Sequence, residues 1–172
     1  MTDRPHWIAA ILLLAVALVA SAVAVAQERF AGTWRIEKSE PAPWARGSYV
    51  IDAKEVRELT GTTVVFKRDR IVGPRQVACT GPHYEIKQYA AEDLFQGELS
   101  EMKDAPTTPD KTADTIGFGK RPIPSIVTGC ATELEFHAIN DDHLVFALNN
   151  SLYRMTRVKP APAKANPKSG KQ

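Results

Sequence analysis

The sequence has few cysteines, and the short motifs of several enzyme classes are absent from it. Its 172 residues include two cysteines, Cys79 and Cys130. Neither belongs to a Cys-x2-Cys pair, and the spacing of His83, His137 and His143 does not fit a standard zinc site. The sequence has no Gly-x-Ser-x-Gly elbow, no phosphate-binding glycine loop and no His-Glu-x-x-His motif. We therefore predict that the protein is not an enzyme and that it has no catalytic residues, no bound metal and no cofactor.

Alternating βαβ segments and internal repeats are also absent, whereas strand signals run through most of the chain. Residues 34–37 alternate between apolar and charged side chains, and residues 62–72 are rich in β-branched side chains. Asn140-Asp141-Asp142 and Asn149-Asn150 are typical of tight turns between antiparallel strands. The pattern predicts an all-β domain of eight or nine strands, either a sandwich or an up-and-down barrel. Further short strands are expected at 76–79, 83–89 and 95–99.

Helix signals are limited to two places. Asp52, with Glu55 three residues later and Gly61 beyond, predicts a short helix over 53–59. The segment 100–124 is rich in proline and shows no apolar period, and a loop of this length is often functional. Part of it is expected to be helical, because Thr108-Pro109-Asp110 fits a first helical turn.

The two ends of the chain differ in composition from the middle. An apolar run follows the charged N-terminus and ends at Ala24-Val25-Ala26, which predicts an export signal over residues 1–26. An uncleaved anchor is the alternative, because about 20 apolar residues can span a bilayer. Residues 159–172 are rich in Lys and Pro and should be disordered. The domain is therefore expected at 27–158, in a periplasmic or secreted protein without a membrane span once the signal is removed.

Charge and cysteine usage fit an exported domain. Residues 27–158 carry 17 Lys and Arg against 19 Asp and Glu, a net charge of 17 − 19 = −2, and no basic patch for nucleic acid is evident. Cys79 and Cys130 are expected to form one disulfide, because an exported protein meets an oxidising compartment. The disulfide would close the loop from residue 79 to residue 130 and contribute up to about 4 kcal/mol of stability by the chain-entropy estimate.

The stretch Gly32-Thr33-Trp34 resembles the Gly-x-Trp that opens lipocalin and wider calycin barrels. The resemblance implies an antiparallel up-and-down β-barrel of about eight strands, with one or two short helices and a tryptophan at its closed end. It also implies an arginine from the last strand over the indole, for which Arg154 and Arg157 are candidates. Arg157 is expected on the same face as Tyr153, which makes it the better partner.

A lipocalin-like barrel implies a binding function. The expected ligand is a small apolar or amphipathic molecule, and the candidate contacts are Trp44 in the first mouth loop with Tyr84, Ile86 and Phe146 in the barrel interior. The alternative is a protein-binding module, such as an inhibitor of a protease or of lysozyme, that acts through the 100–124 loop. In either case we expect a monomer.

One cluster of titratable residues invites a catalytic interpretation. Glu133, Glu135 and His137 could form an acid–base group if they faced a cavity. Leu134 and Phe136 alternate with them, so the three polar side chains are expected on a solvated strand face. His83, His137 and His143 are accordingly expected to be surface histidines.

Overall fold

The protein folds around one antiparallel sheet. The computed structural model describes residues 29–45, 50–102 and 107–159; the expected signal, the C-terminal tail from residue 160, and residues 46–49 and 103–106 lie outside these ranges. The nine strands are β1 (Gly32–Pro41), β2 (Thr63–Phe66), β3 (Arg70–Val72), β4 (Cys79–Thr80), β5 (Glu85–Tyr89), β6 (Ile123–Val127), β7 (Glu135–Ala138), β8 (His143–Leu148) and β9 (Ser151–Arg157). The predicted all-β class is confirmed.

The strands follow the order β4-β3-β2-β1-β9-β8-β7-β6-β5. This is the order of an up-and-down barrel opened between β4 and β5, and the sheet is a curled half-barrel rather than a closed one. Asn149 and Asn150 both adopt positive φ in the β8–β9 turn, as expected of a tight hairpin. The barrel stays open at this point, because β4 is only two residues long and forms no ladder with β5.

The curl brings distant strands together around an inner apolar cluster. Phe66 on β2 and Phe136 on β7 are four places apart in the sheet, yet their ring centroids are 4.9 Å apart. Phe146 and Tyr153 extend the row, with successive centroids separated by 5.1 Å. Aromatic side chains therefore fill the inside of the half-barrel.

The helix predicted over 53–59 is confirmed as α1 (Ala53–Leu59). The Asp52 carboxylate caps its first turn by accepting hydrogen bonds from the amides of Lys54 and Glu55. Leu59 joins the inner cluster, and Glu55 accepts hydrogen bonds from the Tyr153 hydroxyl and the Asn149 side-chain amide. These contacts hold α1 against the inside of the sheet.

A second layer covers the outer face of the sheet. It contains a 3-10 segment (Ala91–Gly97) and α2 (Pro109–Ile116), which begins after the Thr108 cap as predicted. The strand expected at 95–99 was wrong, because Phe95 and Gln96 adopt positive φ and the chain turns there. The outer apolar cluster contains Ala42, Ala91, Leu94, Phe95, Leu99, Ala113, Ile116, Phe118, Ile123, Val145 and Leu152.

At one end of the sheet, the predicted contact between Trp34 and Arg157 is confirmed. Trp34 is 0% exposed, and the guanidinium carbon of Arg157 lies 4.1 Å from its ring centroid. Arg157 also donates hydrogen bonds to the backbone carbonyls of Arg29, Ala31 and Asp141. Gly32 has a φ of +111°, and a Cβ there would meet the guanidinium at 3.4 Å, so this position favours glycine.

Arg154 does not contact Trp34 but ties the outer layer to the sheet. Its Nε donates to Glu40 Oε1 at 2.8 Å, and its Nη1 donates to the carbonyl of Ile116, at the end of α2, at 2.8 Å. The two arginines considered for the tryptophan thus lie on opposite faces of β9.

Candidate functional site

The four predicted ligand contacts do not form one site. Phe146 is fully buried in the inner cluster, against which Tyr84 and Ile86 pack, so these three side chains help to fill the interior. Trp44 packs instead against the outer cluster. The predicted interior site is therefore not brought together, and Trp44 is the member that lies beside a cleft.

Tyr84 has a structural contact that its position in the sequence does not indicate. Its hydroxyl donates to the carbonyl of Lys67 at 2.8 Å, across the gap between the β2–β3 hairpin and β5. Burial, together with the charge of Asp69, raises the pKa of Tyr84 to about 12. We call this side of the half-barrel, between β4 and β5, the seam.

The disulfide predicted between Cys79 and Cys130 is confirmed and lies at the seam. It joins β4 to the loop between β6 and β7. Beside it is a shallow cleft of about 560 Å³, which is lined largely by small and apolar side chains such as Ile71, Val72 and Ala131.

A second cleft, which we call the Trp44 cleft, lies at the end of the sheet opposite Trp34 and has a volume of about 360 Å³. Four parts of the chain form it: the loop after β1, the 3-10 segment with Glu98, residues 132–137 at the start of β7, and the end of β8 with the β8–β9 turn. The lining residues are Trp44, Phe95, Gln96, Glu98, Thr132, Glu133, Leu134, Glu135, His137, Ala147, Leu148, Asn149 and Asn150.

Trp44 is held in a fixed orientation at this cleft. Its indole Nε1 donates to Asn150 Oδ1 at 3.0 Å, and its ring packs against Phe95 with centroids 5.1 Å apart. The indole is only partly buried, so it combines an apolar face with a satisfied polar edge at the rim of the cleft.

Glu135, in the wall of the cleft, forms a partly buried polar pair with Tyr89. The Tyr89 hydroxyl donates to Glu135 Oε1 at 2.8 Å. Burial raises the pKa of Tyr89 well above its ordinary value, and the hydrogen bond to Glu135 adds to the rise. The Glu135 side chain is 12% exposed, and its Oε2 is buried without a hydrogen-bond partner among the described residues.

His137 is buried, so its expected place on a solvated strand face was wrong. It is 0% exposed because the 3-10 segment and Phe118 cover the outer face of the sheet. The amide of Phe95 donates to His137 Nε2 at 3.3 Å, so the neutral ring carries its proton on Nδ1 and donates to Ser125 Oγ at 2.7 Å. Burial lowers the pKa of His137 to about 3.

Ser125, His137 and Glu135 are neighbours, but their arrangement is that of a structural network. Ser125 and His137 are both 0% exposed, and Phe95 occupies the acceptor lone pair of the imidazole. A serine nucleophile needs a base with a free lone pair and a path to substrate. Neither condition is met here, so the three side chains support the wall of the cleft.

Within residues 29–45, 50–102 and 107–159, no group of three or more His, Cys, Asp or Glu side chains is placed to hold a metal ion. In the same part of the chain, no helix is both long and apolar enough to cross a membrane.

Comparisons of this chain with protein-family models, with curated proteins and with solved structures gave no match. The similarity to calycin barrels therefore stays a prediction. The observations that bear on it are the Gly32–Trp34 start of β1, the Arg157 contact and the strand order.

Proposed function

We propose that this protein is an exported binding protein that holds a small amphipathic molecule in the Trp44 cleft. The observation that carries the proposal is the composition of that cleft. It combines the partly exposed Trp44 indole and Leu148 with the carboxylates of Glu133 and Glu135 and the Asn150 side chain. Ligand pockets of about 300–1,000 Å³ commonly pair an aromatic surface with a few polar groups that fix orientation.

The ligand is proposed to bind at this cleft rather than inside the half-barrel. The interior is filled by the contacting rings of Phe66, Phe136, Phe146 and Tyr153. Opening a ligand cavity there would separate these rings and cost packing energy. Trp44 lies at the end of the sheet opposite Trp34. The proposal therefore keeps Trp44 as a ligand contact at the open end of the half-barrel.

The alternative of a protein inhibitor that acts through the 100–124 loop has less support. Ala113, Ile116 and Phe118 are buried in the outer cluster, so the described part of this segment is a packed layer rather than a protruding loop. Inhibitory loops need exposed side chains that can enter a partner's cleft.

Native mass spectrometry of protein purified from its own host tests the proposal. We expect a retained small molecule whose signal is lost in Trp44→Ala. The matched control is Val72→Ala, which removes an exposed apolar side chain from the cleft beside the disulfide and should leave the signal unchanged. Loss of the ligand in the control but not in Trp44→Ala would move the site to the seam and contradict the proposal.

Export is part of the same proposal. It is supported by the residue pattern of 1–26 and by the Cys79–Cys130 disulfide, since disulfides persist mainly in oxidising compartments. N-terminal sequencing of the protein from its host should begin at or near Gln27. An intact Met1 in the membrane fraction would indicate an anchored protein instead.

A further inference from the structure

The charged side chains in the described lining of the Trp44 cleft are all acidic. Within residues 29–45, 50–102 and 107–159, Glu98, Glu133 and Glu135 line it, and no lysine or arginine does. Burial keeps His137 neutral at physiological pH, so it does not offset these carboxylates. The domain from 27 to 158 has a net charge of only −2, and the cleft is therefore a local concentration of negative charge.

Glu135 differs from an ordinary surface carboxylate because it is oriented and incompletely satisfied. Tyr89 fixes its Oε1 through a 2.8 Å hydrogen bond, whereas its Oε2 is buried and has no donor among the described residues. Nε2 of His137 lies 3.9 Å from Oε2 but already accepts the Phe95 amide, so it carries no proton to donate. A buried acceptor without a donor is unfavourable, and such a group commonly marks a functional contact.

Trp44 supplies the second element of the same cleft, independently of the carboxylates. The hydrogen bond to Asn150 and the contact with Phe95 fix the plane of the indole. An indole face binds alkyl groups and attracts organic cations. Carboxylates beside a fixed indole select for a positively charged group attached to an apolar part.

We infer that the ligand of the Trp44 cleft is an organic amine in its protonated form. In this inference, the ammonium group pairs with Glu135 and Glu133, and the apolar part of the ligand packs against Trp44 and Leu148. The inference rests on the proposed function and adds the chemical class of the ligand.

Three probes of equal chain length test it: hexan-1-amine, hexan-1-ol and hexanoate. Binding is followed at pH 7 by the Trp44 indole N–H signal in a two-dimensional ¹H–¹⁵N spectrum, assigned with Trp44→Phe. We expect hexan-1-amine to shift this signal with an affinity at least about tenfold above that of hexan-1-ol, which corresponds to about 1.4 kcal/mol. Hexanoate should not bind.

Glu135→Gln removes the charge and still accepts a hydrogen bond from Tyr89. It should weaken the binding of hexan-1-amine at least about tenfold and leave the binding of hexan-1-ol unchanged. Glu85→Gln is the matched control, because Glu85 is an exposed glutamate on β5 outside the cleft lining, and it should leave both probes unchanged. Circular dichroism of each variant confirms that it is folded.

The outcomes separate this inference from the proposed function. Equal binding of hexan-1-amine and hexan-1-ol at the Trp44 signal would overturn the amine inference and leave a neutral ligand at the same cleft. Binding of hexan-1-amine that Glu135→Gln does not weaken would also overturn it. If none of the probes shifts the Trp44 signal while native mass spectrometry shows a Trp44-dependent ligand, the amine inference fails and the proposed function stands.

Discussion

At the scale of single residues, His137 shows how a polar side chain is accommodated under the outer layer. Each ring nitrogen has a partner: Nε2 accepts from the Phe95 amide and Nδ1 donates to Ser125. The Ser125 hydroxyl is in turn within reach of the Ile123 carbonyl at 3.3 Å. The bond to Phe95 also holds a residue that has positive φ and forms part of the cleft wall. The neutral imidazole is therefore a positioning group for the cleft.

Stability should fall at acidic pH through His137. Burial lowers its folded pKa to about 3, against an ordinary value of 6.5, while the Glu135 carboxylate at 3.9 Å acts in the opposite direction without outweighing burial. Below pH 6.5 the unfolded chain binds a proton that the folded protein does not, so this residue lowers stability by up to about 1.4 kcal/mol per pH unit down to about pH 3.

Urea unfolding of His137→Gln between pH 7 and 4 measures this contribution. The loss of stability with falling pH should be smaller in His137→Gln than in the wild type, because glutamine can accept the Phe95 amide but does not titrate. His143→Gln replaces an exposed histidine and should follow the wild-type curve. Parallel curves for His137→Gln and the wild type would contradict the prediction.

Trp34 and Arg157 should be energetically coupled, because the guanidinium stacks on the indole at 4.1 Å. Trp34→Ala removes a fully buried aromatic side chain and should cost about 3–5 kcal/mol. Arg157→Ala should cost less, and a double-mutant cycle by urea unfolding should give a coupling energy of about 0.5–2 kcal/mol. Trp34→Phe provides a milder cycle if the alanine variant does not fold. Arg35→Ala, on the opposite face of β1, is the control and should show no coupling.

At the scale of elements, the outer layer is joined to the sheet by apolar packing and by polar contacts, among which Arg154 anchors α2. Arg154 links Glu40 on β1 to the last turn of α2. Burial alone would raise the pKa of Glu40, but the hydrogen bond and the charge of Arg154 bring it below its ordinary value. The Arg154–Glu40 pair therefore stabilises the folded protein above the ordinary pKa of the Glu40 carboxyl. This stabilisation is lost as the pH falls through the lowered pKa of Glu40.

Removal of this arginine should loosen α2 before it affects the rest of the sheet. We expect Arg154→Gln to lower stability by about 1–3 kcal/mol, since two hydrogen bonds to a charged group are lost. Hydrogen exchange read by mass spectrometry should become faster in residues 109–118 than in β8 and β9. Arg154→Lys keeps the charge but not the two-pronged geometry and should show most of the same effect. Uniform acceleration across the sheet would mean that Arg154 does not act locally.

At the scale of the whole molecule, the half-barrel depends on how its seam is closed. The Cys79–Cys130 bond and the hydrogen bond from Tyr84 to Lys67 both cross it, where strands β4 and β5 form no ladder with each other. A covalent link between parts of the chain 51 residues apart restricts the unfolded state strongly. The disulfide thus replaces the strand pairing that closes a complete barrel.

The double variant Cys79→Ser/Cys130→Ser should lose up to about 4 kcal/mol of unfolding free energy. Urea unfolding at one fixed pH, with and without a reducing agent, measures the difference. Reduction should destabilise the wild type by a similar amount and leave the double variant unchanged. Equal stability of the wild type and the double variant would show that the disulfide does not stabilise the folded protein.

The sequence by itself determined the class of the fold and several of its local features. Period-two alternation, tight-turn asparagines and the Asp52 cap act over a few residues, so they could be interpreted without knowing the fold. The pairing of the two cysteines followed from their number and the expected compartment. The choice of Arg157 over Arg154 followed from strand alternation, which puts every second residue on one face.

Tertiary structure alone decided where the cleft is and what lines it. Alternation correctly put His137 on the face opposite Phe136, but it could not show that the 3-10 segment, 42 positions earlier in the chain, covers that face. Trp44 and Asn150 are likewise 106 positions apart and meet only because β1 pairs with β9. Burial of a strand face depends on what packs against it, and that is set by contacts between residues far apart in the chain.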